Sequence, residues 1–276
     1  VRFAGMFDAQ LQDNQLTRAL FAQAATATQT RPALPARDLP LETISYLTFQ
    51  GEYHAPQGGW LLLFLALACL ALLEAPKLAT THGRVPDDNT TARAPQAVLA
   101  ATLPLTLITN TWVFPLHAAL LLGWVIHRYT RKAPPDWPAL LIGGGGALLL
   151  AYPFISQFAM QALVTPIRWV TPVDHTPFNR YLTIHWPALL LLALAALRMR
   201  RQRYTLLLVT LFAGLLLGSE LFYADDPMGE QYNRFNSTLK WWSWIYPAIL
   251  LGLGSILLGA GRGWRWATAA VLLLVS

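Results

Sequence analysis

The chain has 276 residues, of which 55% are hydrophobic and only 12% charged, with a net charge of +6. A soluble globular domain carries roughly 25% charged residues, so a soluble enzyme, a disordered tail and a disulfide scaffold are excluded together. The excess positive charge falls in short clusters between apolar runs, as in membrane loops, and lacks the basic-plus-aromatic organisation of a nucleic-acid module. No nucleic-acid partner is expected.

In chain order, residues 1–57 form the one sizeable polar stretch. Within it, Phe7 to Ala27 suits an amphipathic helix with Phe7, Leu11, Leu20 and Phe21 among its apolar residues. Pro32, Pro35 and Pro40 then keep the chain extended. Residues 58–276 carry seven apolar segments, Gly58–Leu73, Ala97–Thr109, Trp112–Ile126, Pro138–Phe154, Leu182–Leu197, Tyr204–Gly218 and Trp244–Leu258. A partial eighth starts at Ala267 and ends after about half the length a span needs. The fold class expected is all-α, a polytopic transmembrane bundle of about seven to eight helices, and the chain reads as a piece of a larger membrane protein. The second and third segments nearly touch at Asn110-Thr111, which predicts a tight hairpin, and Gly143 to Gly146 predicts close helix packing. Cys69 sits in an apolar run and carries no redox information.

Charge sets an orientation. The alternate loops 74–96, 127–136, 198–203 and 259–265 hold twelve Lys and Arg but four acids, a balance of +8, whereas the opposite side carries −2. By the positive-inside rule the first set is cytoplasmic. Residues 1–57 and the outer loops 155–181 and 219–240 then face the exterior of the cell inner or plasma membrane, and the chemically interesting clusters fall on that side.

Three of those clusters stand out. Ser219 to Lys240 gathers Glu220, Asp225, Asp226 and Glu230 with Arg234, Asn236 and Lys240 between two apolar helices. Such a set suits phosphate binding through Arg234 and Lys240. It equally suits a general base or a divalent metal at Asp225, Asp226 or Glu220, or a solvated loop of mutually neutralising charge. Glu52 and His54, two residues apart before the first apolar helix, could share a proton or a metal. Asn110-Thr111-Trp112 occupies the hairpin turn, where the plain role of Asn110 is to cap the following helix. Asp174-His175 and Asn179-Arg180 lie in a proline-flanked outer loop expected to be rigid and partly re-entrant, and His185 and Glu220 are ionisable groups at or near membrane depth. His117 and His127 read as packing or cytoplasmic-interface residues.

The ordered set of motifs resembles the "YYY" family of very hydrophobic membrane proteins, grouped with the GT-C superfamily of polyprenyl-phosphate-dependent glycosyltransferases. Gly51-Glu52-Tyr53-His54 is similar to the family's Gly-Asp-Leu-His-Pro-His segment before a helix. Asn110-Thr111-Trp112-Val113-Phe114-Pro115 resembles its Asn-Thr-Trp-Asp-Phe-Pro, and Glu220 to Lys240 resembles its closing Glu, Asp, Arg-x-Asn-Thr-x-Phe-Lys pattern. Here Glu52 stands where the family has Asp, Val113 where it has a second Asp, and Ser237 near its Thr. The resemblance covers roughly residues 40–255. It implies transfer of a sugar from a polyprenyl-phosphate carrier at an outward-facing site. Glu52, Asp225 or Glu220 would then be the carboxylate that deprotonates the acceptor. Arg234 and Lys240, with Arg180 in reserve, would offset the departing phosphate, and His54, Asn236, Asn110 and Trp112 would complete the substrate contacts. The partners expected are membrane lipids, the lipid-linked sugar and possible membrane-complex subunits. A non-catalytic subunit scaffolding a larger complex is the rival reading, and a transporter, which needs more ionisable groups at mid-span, the third.

Overall fold

The computed structural model describes residues 55–74, 88–158, 167–172, 174–198, 202–225, 234–259 and 269. The amphipathic segment expected near the start, Glu52, His54, Asp226, Glu230 and all but one residue of the last apolar run lie outside them. Helices dominate, because a segment in hydrocarbon must satisfy its backbone N–H and C=O groups internally. They are α1 (Ala55–Glu74), α2 (Asp88–Thr109), α3 (Phe114–Thr130), α4 (Trp137–Phe158), α5 (Phe178–Arg198), α6 (Arg203–Leu221) and α7 (Ser243–Gly259). A helical turn Phe235–Ser237 and a π-helical turn Thr238–Trp242 lead into α7, and two short strands, β1 (Ile167–Trp169) and β2 (Phe222–Ala224), pair antiparallel. Among the described residues, five helical stretches are long and apolar enough to cross a membrane: Gln57–Glu74, Trp137–Gln157, Phe178–Arg198, Arg203–Leu221 and Phe235–Leu258. The chain is consistent with a multi-pass integral membrane protein.

All seven full apolar segments are helical, with two departures in their bounds. Helix α2 begins at Asp88, nine residues before the expected start, and runs through Pro95 and Pro104. Proline ordinarily ends a helix at the preceding residue. In this helix the buried hydroxyls of Thr102 and Thr106 donate back to the carbonyls of Leu99 and Thr102, at 2.6 and 2.7 Å. The outer loops are also shorter than 155–181 and 219–240. Residues 155–158, 178–181, 219–221 and 235–240 are helical, and residues 167–169 form a strand rather than a re-entrant segment.

Successive helices alternate in direction, so their ends collect at two poles. At one, which carries the β-ribbon, the start of α1 abuts the end of α2. A Cβ built on Gly58 would lie 3.1 Å from Thr109 Cβ, and one on Gly59 3.3 Å from the Asn110 amide nitrogen. At the other, basic pole the Arg93 guanidinium pairs with Asp136 at 2.8 Å, and Gln96 Oε1 accepts the Asp136 N–H at 2.7 Å. The core runs between the poles around α7, the most enclosed span, with Leu63, Leu70, Trp124, Phe212, Trp242 and Trp244 fully buried. Helix α4 packs almost wholly on α2 and leaves Leu141, Ile142, Leu149 and Leu150 bare.

Asp136 caps α4: its Oδ1 accepts the Ala139 N–H at 3.1 Å. That hydrogen bond, and after it the Arg93 guanidinium, holds the carboxyl below the usual carboxylate range. A depressed folded pKa stabilises above the unfolded value, and the contribution disappears as pH falls through the folded value. Asp136→Asn is therefore expected to lower the unfolding temperature slightly at neutral pH. Below about pH 4, the ordinary carboxylate range, the gap from wild type should close as thermal melts are followed downward in pH.

Candidate functional site

The ribbon pole brings most of the singled-out polar residues together. Glu220 is the penultimate residue of α6, and its carboxylate is 13% exposed. Its Oε1 accepts from the Thr176 hydroxyl at 2.8 Å and from Arg234 Nη2 at 3.0 Å, while Oε2 accepts the Thr176 N–H at 3.1 Å. His175 Nδ1 stands 3.9 Å from Oε2 and its ring opens to the surface. The carboxylate is thus gripped by three donors and faces a half-exposed imidazole.

Arg234 is 4% exposed and holds three separate pieces of chain. One amino group donates to the Asp174 carbonyl; the other donates to Glu220 and to the Ser219 carbonyl at 3.0 Å. The guanidinium thus pins Asp174 and the last turn of α6 onto the start of the α7 assembly, and among the described residues its Nε is buried without a partner. Five donors in a rigid fork suit this task, and most of that fork is already engaged within the protein.

Immediately beyond β2, the Asp225 carboxylate pairs with Arg168 Nε of β1 at 2.9 Å. The Ser237 hydroxyl clasps both the N–H and the carbonyl of Ala224, at 2.9 and 3.1 Å, closing the ribbon against the helical turn 235–237. The π-helical turn then matters. Within it the adjacent indoles Trp241 and Trp242 donate to different elements, to the Trp112 carbonyl at 2.9 Å and to the Ser219 hydroxyl at 2.9 Å. π-turns interrupting α-helices are frequent at functional sites. Lys240 is buried in this turn and Asn236 half-buried just before it. Trp60 Nε1 donates to the Ser243 carbonyl at 2.8 Å, which ties the start of α1 to the same place.

The sequence-derived residues are thus distributed as follows. Glu220 and Arg234 form a direct pair; Asp225 joins the same pole through Arg168 and not through Arg234. Asn110 and Trp112 sit in the hairpin turn, where the 3-10 turn Thr111–Val113 links α2 to α3, and Trp112 is tied to the π-turn through Trp241. The capping expected of Asn110 is not what its side chain does: it makes no cap hydrogen bond, and its carbonyl instead accepts the Val113 N–H at 3.2 Å. Arg180 is exposed in the first turn of α5. Glu52 and His54 lie outside the described residues, although α1, which follows them directly, starts at this pole. Among the described residues no three His, Cys, Asp or Glu side chains gather in a metal-binding arrangement.

Sequence reading missed Arg168, Thr176, Ser219 and Ser237, whose partners are 13 to 57 residues distant in the chain. It also missed Glu74 at the basic pole. That carboxylate, 2% exposed, accepts the Trp124 N–H at 2.9 Å and has His127, Arg128 and Arg131 each at 3.6 Å. His117 and His127, read as packing or cytoplasmic-interface residues, are both buried, His127 at the basic pole. His185 is fully buried among the rings of Tyr181, Trp242 and Tyr246. No family model matches the chain, and neither a curated protein nor a solved structure matches it.

Proposed function

We propose that the protein is a GT-C-like glycosyltransferase, or an inactive relative of one, that uses a polyprenyl-phosphate-linked sugar at the ribbon pole, with that pole on the outer side of the membrane. The observation that carries this reading is convergence. The three stretches on which the resemblance rests are far apart in sequence. Trp241 bonded to Trp112, Trp60 bonded to Ser243, and Gly59 against Asn110 bring the hairpin motif, the closing motif and the start of α1 to one place. The orientation follows from the arginines and lysines of the opposite pole.

Within that reading the geometry divides the labour. Arg234 and Glu220 are the frame, since their hydrogen-bonding capacity is used internally. The groups with access to an incoming substrate are Asp225, His175, Arg168 and Arg180. Asp225, at the end of β2, takes the proton of the acceptor hydroxyl. Arg168 and Arg180, with Lys240 of the π-helical turn, offset the charge that develops on the phosphate as the sugar leaves. Glu52 and His54 would approach from the start of α1.

Asp225→Asn in the full-length protein tests this. A general base contributes about 10²- to 10⁴-fold to rate, so the variant should lose at least about 100-fold in transfer of a lipid-linked sugar. The Arg168 pair is half-exposed, and such pairs contribute little to stability, so the unfolding temperature should barely move. Arg93→Ala at the basic pole should leave transfer intact. Wild-type turnover in Asp225→Asn would overturn the assignment. A subunit that scaffolds a larger complex is the reading favoured by the bare apolar side of α4, and it predicts no transfer by either protein.

A further inference from the structure

The two-stranded ribbon has unlike faces. In an antiparallel pair, residues directly opposite one another share a side, and successive residues alternate. The register Ile167 with Ala224, Arg168 with Tyr223 and Trp169 with Phe222 puts Ile167, Trp169, Phe222 and Ala224 on one face and Arg168 with Tyr223 on the other. The second face is fastened down. Tyr223 is buried, Arg168 is paired with Asp225, and the ribbon is anchored at its ends by the Ser237 clasp and by the Val170 N–H donating to the Leu221 carbonyl at 2.9 Å. The first face is bare along β1, while Ala224 of β2 packs against the core. Ile167 and Trp169 are 67% and 69% exposed, with the Trp169 ring resting on Phe222 at a centroid distance of 4.2 Å.

We propose that this face is seated in the headgroup zone of the bilayer, with Ile167 and Trp169 directed to the acyl boundary. Two observations select lipid as the occupant. Helix α5 starts at the same pole and carries Phe178, Leu182, Trp186 and Leu190, spaced by four and all exposed. That spacing makes one apolar stripe down a membrane-crossing helix, and Phe178 at its top is as bare as Ile167 and Trp169. Tryptophan concentrates at membrane–water interfaces because its ring is apolar and its N–H polar. The ribbon presents its tryptophan from strands whose other face is fastened. As a result Asp225, the residue that follows β2, is held at the depth of a lipid phosphate. The inference rests on the membrane-crossing helices and not on sugar transfer, so the two fail separately.

The test uses the full chain with Cys69→Ala and Trp169→Cys carrying an environment-sensitive fluorophore, in phosphatidylcholine–phosphatidylglycerol nanodiscs. Pro172→Cys, three residues on and exposed, is the aqueous comparison. The label at 169 should lose most of its emission to lipids bearing a nitroxide at the shallow end of the acyl chain. It should lose less to a nitroxide near the chain end and little to aqueous iodide, whereas the label at 172 should respond to iodide. Because the variant removes the indole itself, the unaltered chain is also irradiated with a lipid carrying a headgroup diazirine, which should crosslink to the Ile167–Trp169 peptide. Iodide quenching at 169 equal to that at 172, or strongest quenching by the deep nitroxide, or no adduct on that peptide, would each overturn the proposal.

Discussion

Replacing Arg234 with methionine is expected to cost about 3–5 kcal/mol of unfolding free energy, the range that follows loss of one partner from a buried ion pair. Methionine keeps the volume of the side chain and removes all of its donors. The Glu220 carboxylate then stays in its recess with only the two Thr176 donors, and the Asp174 and Ser219 carbonyls lose theirs. The larger part of the penalty is the stranded carboxylate, since an uncompensated buried charge costs more than an unmade neutral hydrogen bond. Adding Glu220→Gln to Arg234→Met should therefore recover stability, although Glu220→Gln alone destabilises. Chemical denaturation of the four proteins in detergent, as a double-mutant cycle, reads the coupling directly. An Arg234→Met loss below about 1 kcal/mol, the level of a surface pair, would mean that water reaches the pair and that Arg234 does not hold the pole together.

This expectation also shows what the sequence could and could not carry. The spans were legible because a helix in hydrocarbon needs little more than an apolar run of sufficient length, and α1, α4, α5, α6 and α7 supply one each. The α2–α3 hairpin was legible because Asn110 and Thr111 are the sole polar interruption there. The start of α2 was hidden by Pro95 and by the polar residues of its first two turns, which break an apolar pattern without breaking the helix. The ribbon was invisible for a different reason. Strands of three residues, Ile-Arg-Trp and Phe-Tyr-Ala, are too short to display alternation, and their pairing spans more than fifty residues. Arg234 was visible as a cation but not as a frame, because two of its acceptors are backbone carbonyls, which no side-chain pattern reports. Glu74 counted in the sequence only as one of the acids of loop 74–96. Its burial comes from α3 and α6, which bring His127, Arg128, Arg131 and the Tyr204 ring around it.

At Gly143 the expected effect is geometric. A Cβ there would fall 1.9 Å from the Ala97 carbonyl oxygen and 2.7 Å from its Cα, so helices α2 and α4 touch backbone to backbone. Small residues permit such an approach, and packing with hydrogen bonding, rather than a hydrophobic drive, holds helices together in lipid. Gly143→Val is expected to push α4 off its neighbour, because backbone cannot swing aside as a side chain can, and the cost should exceed the usual 1–3 kcal/mol or so of an overpacked core. Since α4 has α2 as its main support, the displaced helix has little else to hold its place. A crosslink reports this more directly than a melt. A Cβ on Gly144 would lie 3.8 Å from Ala100 Cβ, within the range of about 3.5–4.5 Å that a disulfide spans. In a Cys69→Ala background, Ala100→Cys with Gly144→Cys should oxidise readily, and adding Gly143→Val should abolish the bond. Gly146→Val should leave it intact, since a Cβ at Gly146 meets nothing within 4 Å. Full oxidation in the presence of Gly143→Val would mean that α2 and α4 pack less closely than the Ala97 contact requires.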